Sequence, residues 1–237
     1  MRQKPISLLC ACLLLCFSMP LLAVQDSIIT KYLYQSGDDN SWKSPEYNDA
    51  DWHQVKQGLP NKVGIYWVRL HLQVNNPDIF VQQAIFTSIL GSYELYWNGH
   101  LIASNGLVGT SKQNETPGEF LKMNPIPNKL WTQGEHLVSI RISNFHSPQK
   151  LRHKFFNVLL APMDEMKNKG LAISLIPLFV LGALFIIAIY FIQLYFIYAR
   201  EQVFLLFSLL CFSIATLLVV ESWKHLLGYT YDLSLIH

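Results

Sequence analysis

The order of apolar and polar residues divides this chain into a patterned middle and two apolar ends. Across residues 66–74 the positions alternate, with Tyr66, Val68, Leu70, Leu72 and Val74 on one side and Trp67, Arg69, His71 and Gln73 on the other. A period of two is the pleat of a β-strand with one face in a core and the other turned away from it. Val138, Ile140 and Ile142 alternate with Ser139, Arg141 and Ser143 in the same manner. Between these runs, residues 93–97 and 100–103 flank Asn98-Gly99, a dipeptide that tolerates the positive φ angles of a tight type I′ hairpin. Pro60, Gly64, Pro77, Gly106, Pro117, Pro125, Pro127 and Gly134 break the remainder into short pieces. Many short strands with such breaks predict an antiparallel β-sandwich over residues 24–165.

The ends read differently. Arg2 and Lys4 precede an apolar run at residues 6–23 that closes on small Ala23 before polar Gln25 and Asp26. A positive start, an apolar stretch and a small residue predict a secretory signal, residues 1–23, cut before Val24; an uncleaved anchor is the alternative. Residues 170–199 are thirty positions without a charge. At about 1.5 Å per residue such a helix is longer than the roughly 30 Å hydrocarbon layer, so it spans with tilt. Tyr190, Tyr195 and Tyr198 fit an aromatic belt near its end, and Pro177 falls early enough for a mild kink. After Arg200 and Glu201 comes a second apolar run, residues 203–220, and then a tail, 221–237. So short a connection predicts an antiparallel helical hairpin. Lys167 and Lys169 against a lone Arg200 favour the opposite orientation, but an exported domain of this size crosses largely regardless of charge. The middle is therefore expected outside and the Arg200 turn inside.

Composition narrows the function classes. The 237 residues are 51% hydrophobic and 14% charged, which excludes a disordered chain. The 18 basic and 16 acidic residues form no basic run, so no nucleic-acid partner is expected. Cys10, Cys12, Cys16 and Cys211 all lie in the apolar ends, leaving the middle to fold without disulfides. About 140 residues suffice to bury a core unaided.

Candidate chemistry is sparse. Residues 106–112 look like a phosphate loop but lack the Gly-Lys-Ser/Thr adjacency. His146 and His153 have no zinc spacing and read as solvated loop residues. Glycoside cleavage needs two carboxylates about 5–9.5 Å apart, and nothing in the sequence brings together Glu94, Glu115 and Glu119. No catalytic residue, metal site or cofactor is expected, and the chain reads as a non-enzyme. Binding is the stronger reading. Trp67, Arg69, His71 and Gln73 would offer a ligand an aromatic platform beside a planar hydrogen-bond donor and two polar groups. The alternative is that this face is merely solvated, or covered. Trp42, Trp52 and Trp131 read as packing residues.

The landmarks follow a familiar order: Trp52 in Asp-Ala-Asp-Trp, Gly-Ile-Tyr-Trp-Val-Arg-Leu from Gly64, Leu-Tyr-Trp-Asn-Gly-His from Leu95, and Gly-Glu-His-Leu-Val-Ser-Ile-Arg-Ile-Ser-Asn from Gly134. This resembles the galactose-binding-like jelly roll of β-galactosidases and β-glucuronidases. Followed by the hairpin with Leu181-Gly-Ala-Leu-Phe and the Arg200-Glu201-Gln202 turn, it resembles the N-terminal part of bacterial seven-helix receptors with diverse intracellular signalling modules. The resemblance implies an all-β jelly-roll sandwich in the periplasm, sensing a small molecule or carbohydrate, joined to the first two helices of an inner-membrane bundle. Only two apolar runs follow the middle before His237, so the sequence is expected to be the input part of such a receptor. A homodimer through the membrane helices is a further expectation, and a membrane-anchored carbohydrate- or protein-binding module without output is the alternative function. The orientation has a direct test. Alkaline phosphatase fused at Leu160 should be active, and an inactive fusion would reverse the topology.

Overall fold

In the computed structural model the described residues are 27–56, 58–60, 62–147, 153–198, 200–227 and 230–231. The expected signal segment, 1–23, lies outside them.

The two alternating runs become the central strands β4 (Ile65–Val74) and β9 (Gly134–Ser143), paired antiparallel along their whole length from Ile65↔Ser143 to Val74↔Gly134. Around them β1 (Ser27–Ser36), β2 (His53–Gln54), β6 (Ser92–Trp97) and β7 (His100–Asn105) complete a six-stranded sheet in the order β2-β1-β4-β9-β6-β7. A second, three-stranded sheet has the order β11-β5-β8, from β5 (Gln83–Ile89), β8 (Leu121–Pro125) and β11 (Phe156–Pro162). The short β3 (Leu59–Pro60) and β10 (His153–Lys154) pair at the side. Every pairing is antiparallel.

The core lies between the two larger sheets. Tyr66, Val68, Leu70, Leu72 and Val74 are all buried, with Val138, Ile140 and Ile142 beside them. Ile85, Ile89, Phe156 and Val158 close the layer from the second sheet. One polar knot sits inside it. The Tyr93 hydroxyl bonds Thr87 Oγ1 at 2.7 Å and accepts from Asn124 Nδ2 at 2.9 Å. Burial pushes that phenol up to about 12. The expected hairpin is present, with Asn98 at φ 47° and Gly99 at φ 84° between Trp97 and His100. Asn98 Oδ1 also accepts from the Leu137 N–H at 2.8 Å, which ties the turn to β9.

From β11 the chain enters α1 (Met163–Ile197) without a linker, and after Arg200 it returns as α2 (Gln202–Leu227). Helix α1 begins seven residues before the apolar run at 170, because Asp164 and Glu165 suit the positive N-terminal end of a helix. Apolarity marked only the part suited to lipid. Both helices are long and apolar enough to cross a membrane. They pack through small residues, with Ala188, Ser208, Cys211 and Ala215 buried and Ser208 Oγ donating to the Ala188 carbonyl at 3.1 Å. Phe191 and Phe207 meet beside this contact, ring centroids 4.4 Å apart.

Truncating the central strand should be costly, since the two sheets cannot close around the space left. Ile140→Ala is expected to lower stability by about 2–5 kcal/mol. Urea unfolding of the full chain in detergent, followed by tryptophan emission, measures it.

Candidate functional site

The outer face of the large sheet, where a ligand site was expected, is covered. Residues 37–52 fold across it, opening with a 3₁₀ turn at Asn40–Lys43 that Asp39 caps through the Ser41 N–H at 2.8 Å. Pairing sets two cross-strand rows beneath this strap: Leu33, Arg69, Ser139 and Tyr96, then Gln35, Trp67, Arg141 and Glu94.

Arg69 organises the cover. Its Nε donates to Asp49 Oδ2 at 2.7 Å. Nη1 donates to the carbonyls of Trp42 at 2.6 Å and Ser44 at 2.9 Å, and Nη2 to that of Tyr47 at 3.2 Å. The rings of Tyr47 and Trp52 lie over the guanidinium, each centroid 5.7 Å away. Trp42 meets Trp52 edge-on at 5.2 Å, and Trp67 stacks on Tyr96 at 5.7 Å.

The expectation that Trp67 and Arg69 present themselves to a ligand is therefore corrected: both are 0% exposed. A period-two pattern separates one face of a strand from the other, but it does not say whether the far face meets water. Here that face meets the aromatic residues of the strap. His71 and Gln73 remain half-buried beyond its edge. The His71 side chain is 31% exposed, and its Nε2 donates to the same Asp49 oxygen at 2.7 Å. Exposed Lys31 pairs beside His71, and exposed Glu135 beside Gln73.

Burial opposes ionisation of Asp49, but the hydrogen bonds from His71 and Arg69 outweigh it and hold the carboxyl below its ordinary value of 3.8. At the rim, Arg141 grips Asp38 through two bonds of 2.6 Å and reaches Glu94 at 3.2 Å. The Arg141 hydrogen bond lowers the Asp38 carboxyl in turn. Burial and the Glu94 carboxylate push the Tyr96 phenol up to about 12.

A second cluster, which no local pattern marks, lies at one end of the sandwich. The side chain of Glu115 is 0% exposed. Its Oε1 accepts from Ser143 Oγ at 2.6 Å, and its Oε2 accepts from His146 at the backbone N–H, 3.2 Å, and at Nδ1, 3.0 Å. His146 is thus half-buried against a carboxylate, not the solvated loop residue expected; the side chain of His153 lies outside the described ones. Ser143 and His146 both bond the acid, so the trio is a buried acceptor with two donors, unlike a nucleophile–base relay. Beside it Tyr231, fully buried, donates its N–H to the Gly118 carbonyl at 2.9 Å, and its hydroxyl lies 3.2 Å from the His146 nitrogen. Thr230 forms a bridge with Glu119. These residues lie far apart along the chain, and no spacing rule joins them. Among the described residues, no group of three or more His, Cys, Asp or Glu side chains is placed to hold a metal ion.

No family model matches the sequence, and no protein of curated function does. Solved structures similar in fold include a β-glucuronidase 2 of Bacteroides uniformis, with 14% identity and a TM-score of 0.41 over 56% of this chain and 17% of that one. A glycosyl hydrolase family 2 member of Bacteroides cellulosilyticus gives 13% identity and a TM-score of 0.39 over 57% and 20%. A Bifidobacterium dentium β-glucuronidase gives 13% and 0.36 over 52% and 21%. The chain spans about a fifth of those proteins.

The strap's dependence on one ion pair is testable. Asp49→Ala leaves a buried guanidinium without its anion and should cost about 3–5 kcal/mol at neutral pH. Because the folded-state value of Asp49 is depressed, its contribution is complete above 3.8 and is lost as pH falls below that value. The gap in urea midpoint between wild type and variant should therefore narrow with acidification.

Proposed function

We propose that this chain is the input part of a bacterial membrane receptor. A galactose-binding-like jelly roll, residues 24–165, faces the periplasm and takes a carbohydrate or another small polar molecule. The hairpin α1–α2 carries its state into the inner membrane. On this reading the chain binds and transmits, and it performs no reaction of its own.

One observation carries the proposal: the sandwich is joined to the hairpin at two places. At the first, β11 continues directly into α1, and Met163 N–H donates to the Gln82 carbonyl at 2.8 Å. At the second, Thr230 and Tyr231, just past α2, dock on Gly118, Glu119 and His146. A domain tethered only for anchorage needs the first connection alone. The second makes the loop at 106–118 and the segment after α2 move together. A ligand can shift such a device only by favouring one of its arrangements over the other. His71 and Gln73, with Lys31 and Glu135 alongside, are the polar groups of the expected site that a ligand can still reach.

The test uses the full chain in lipid nanodiscs, titrated with neutral monosaccharides and uronic acids. A sugar present at about 100 times its dissociation constant should stabilise the sandwich by about 2.7 kcal/mol. The same sugar should change amide exchange near Arg200. Stabilisation without any change at that turn would leave an anchored binding module. Failure of every sugar to stabilise the fold would overturn the carbohydrate reading.

A further inference from the structure

The three-stranded sheet has an outer face with an unusual character. Register places Leu159, Phe86 and Met123 in one row across β11, β5 and β8, and Asn157, Ser88 and Leu121 in the next. None of the six is ionisable. Leu159 and Leu121, on the two outermost strands, are exposed, so the apolar character runs from one side of the sheet to the other. Both ends continue it. Beyond β8 and β11, Phe120 packs on exposed Phe155 with ring centroids 5.6 Å apart. Before β5, Ile79 and Phe80 stand at the tip of a turn, and Phe80 is 93% exposed. Two bonds close that turn: Asp78 Oδ1 accepts from the Phe80 N–H at 2.8 Å, and the Asp78 carbonyl from the Val81 N–H at 3.4 Å.

This is also the sheet joined to the hairpin at both ends. Pro162, the last residue before α1, pairs with Gln83 at the start of β5. Thr230 and Tyr231 reach the chain beside Phe120, whose carbonyl accepts from Ile89 at the far end of the same strand. The seven residues of β5 separate the two attachments by about 20 Å along the strand. Both attachments lead into helices that cross one membrane. A sheet held at both ends in this way lies along the bilayer instead of standing on one end. Its inner face is committed to the core, so its outer face is the one left to meet the lipid.

We propose that the outer face of the three-stranded sheet, with Ile79 and Phe80 at its edge, rests on the bilayer that α1 and α2 cross. The occupant is the boundary between headgroups and acyl chains, which accepts apolar side chains to a depth of about 5–10 Å. The aromatic rings of Phe80 and Phe155 sink toward the acyl chains, while Asn157 and Ser88 meet the headgroups. The inference rests on the membrane reading of the helices, so its test must separate the two.

The experiment is fluorescence quenching by doxyl lipids in nanodiscs. The full chain, in a cysteine-free background including Cys211→Ala, carries one environment-sensitive label at a time. The positions are Phe80→Cys, Leu159→Cys, Phe179→Cys in α1, and Leu101→Cys on β7 of the other sheet. Lipids with the doxyl group near the headgroup should quench labels at 80 and 159 and shift their emission to the blue. Lipids with a deep doxyl group should quench 179, and neither should quench 101. Quenching at 179 without quenching at 80 or 159 overturns the inference and leaves the membrane reading standing. No quenching at 179 overturns both. Equal quenching at 101 and 159 also overturns it, because the lipid would then select no face.

Discussion

A single guanidinium, that of Arg69, decides what kind of surface the large sheet has. It sits at the middle of β4, where period two turns it away from the core, yet it is fully buried. Burying a charge without partners is among the costliest things a fold can do, and Arg cannot escape by losing its proton. The strap removes the cost by supplying one carboxylate and three carbonyls in the geometry of the guanidinium fork. In return the fork fixes residues 42–49, a stretch with little regular hydrogen bonding of its own. Trp42, Tyr47 and Trp52 can then close over Trp67 and Tyr96 as a second, smaller apolar cluster. Neither half stands alone: without the strap Arg69 and Trp67 have no cover, and without Arg69 the strap has nothing to wrap.

The legible and illegible parts of the sequence separate along the same line. The central strands, the Asn98-Gly99 hairpin and the apolar helices are local patterns, and each was readable from residues a few positions apart. The strap is not a pattern. Its Trp and Asp residues acquire meaning only when β4 is beneath them, and Arg69 reads the same whether it faces water or Asp49. Period two therefore turns Trp67 and Arg69 outward where the structure buries them, although it locates the strand that carries them. The cluster at Glu115 was beyond reach for a related reason. Ser143 ends β9, His146 follows it, Glu115 lies in a loop, and Tyr231 comes after both helices. Contacts of such sequence separation are made by topology, which periodicity does not encode.

Two glycines show how that topology is held. Gly106 adopts φ +69°, and a side chain there would strike the Thr116 carbonyl; one on Gly118 would come within 2.6 Å of Asn105. The ends of the loop at 106–118 are thus pressed together, and Asn105 stitches them with two bonds to Glu119, at 2.7 and 2.9 Å. Glu115 is carried inward by this closure to its buried place between Ser143 and His146. The surface on which Tyr231 docks is consequently one piece with the loop, and the loop cannot open without uncovering a carboxylate.

The strength of that second attachment bears on what it could transmit. One backbone hydrogen bond, one bridge and the contacts of a tyrosine hydroxyl contribute about 0.5–1.5 kcal/mol each. Their sum, about 1.5–4.5 kcal/mol, stays below the roughly 5.5 kcal/mol needed to carry a two-state element from almost all in one arrangement to almost all in the other. The first attachment is of another order, a covalent passage from a seven-residue strand into a helix. A sheet fixed firmly at one end and lightly at the other can pivot about the firm end. On a membrane it would do so by lifting or lowering one apolar edge against the lipid. The balance between the light tether and that edge, both small terms, is where a modest binding energy in the sandwich would be felt by the helices.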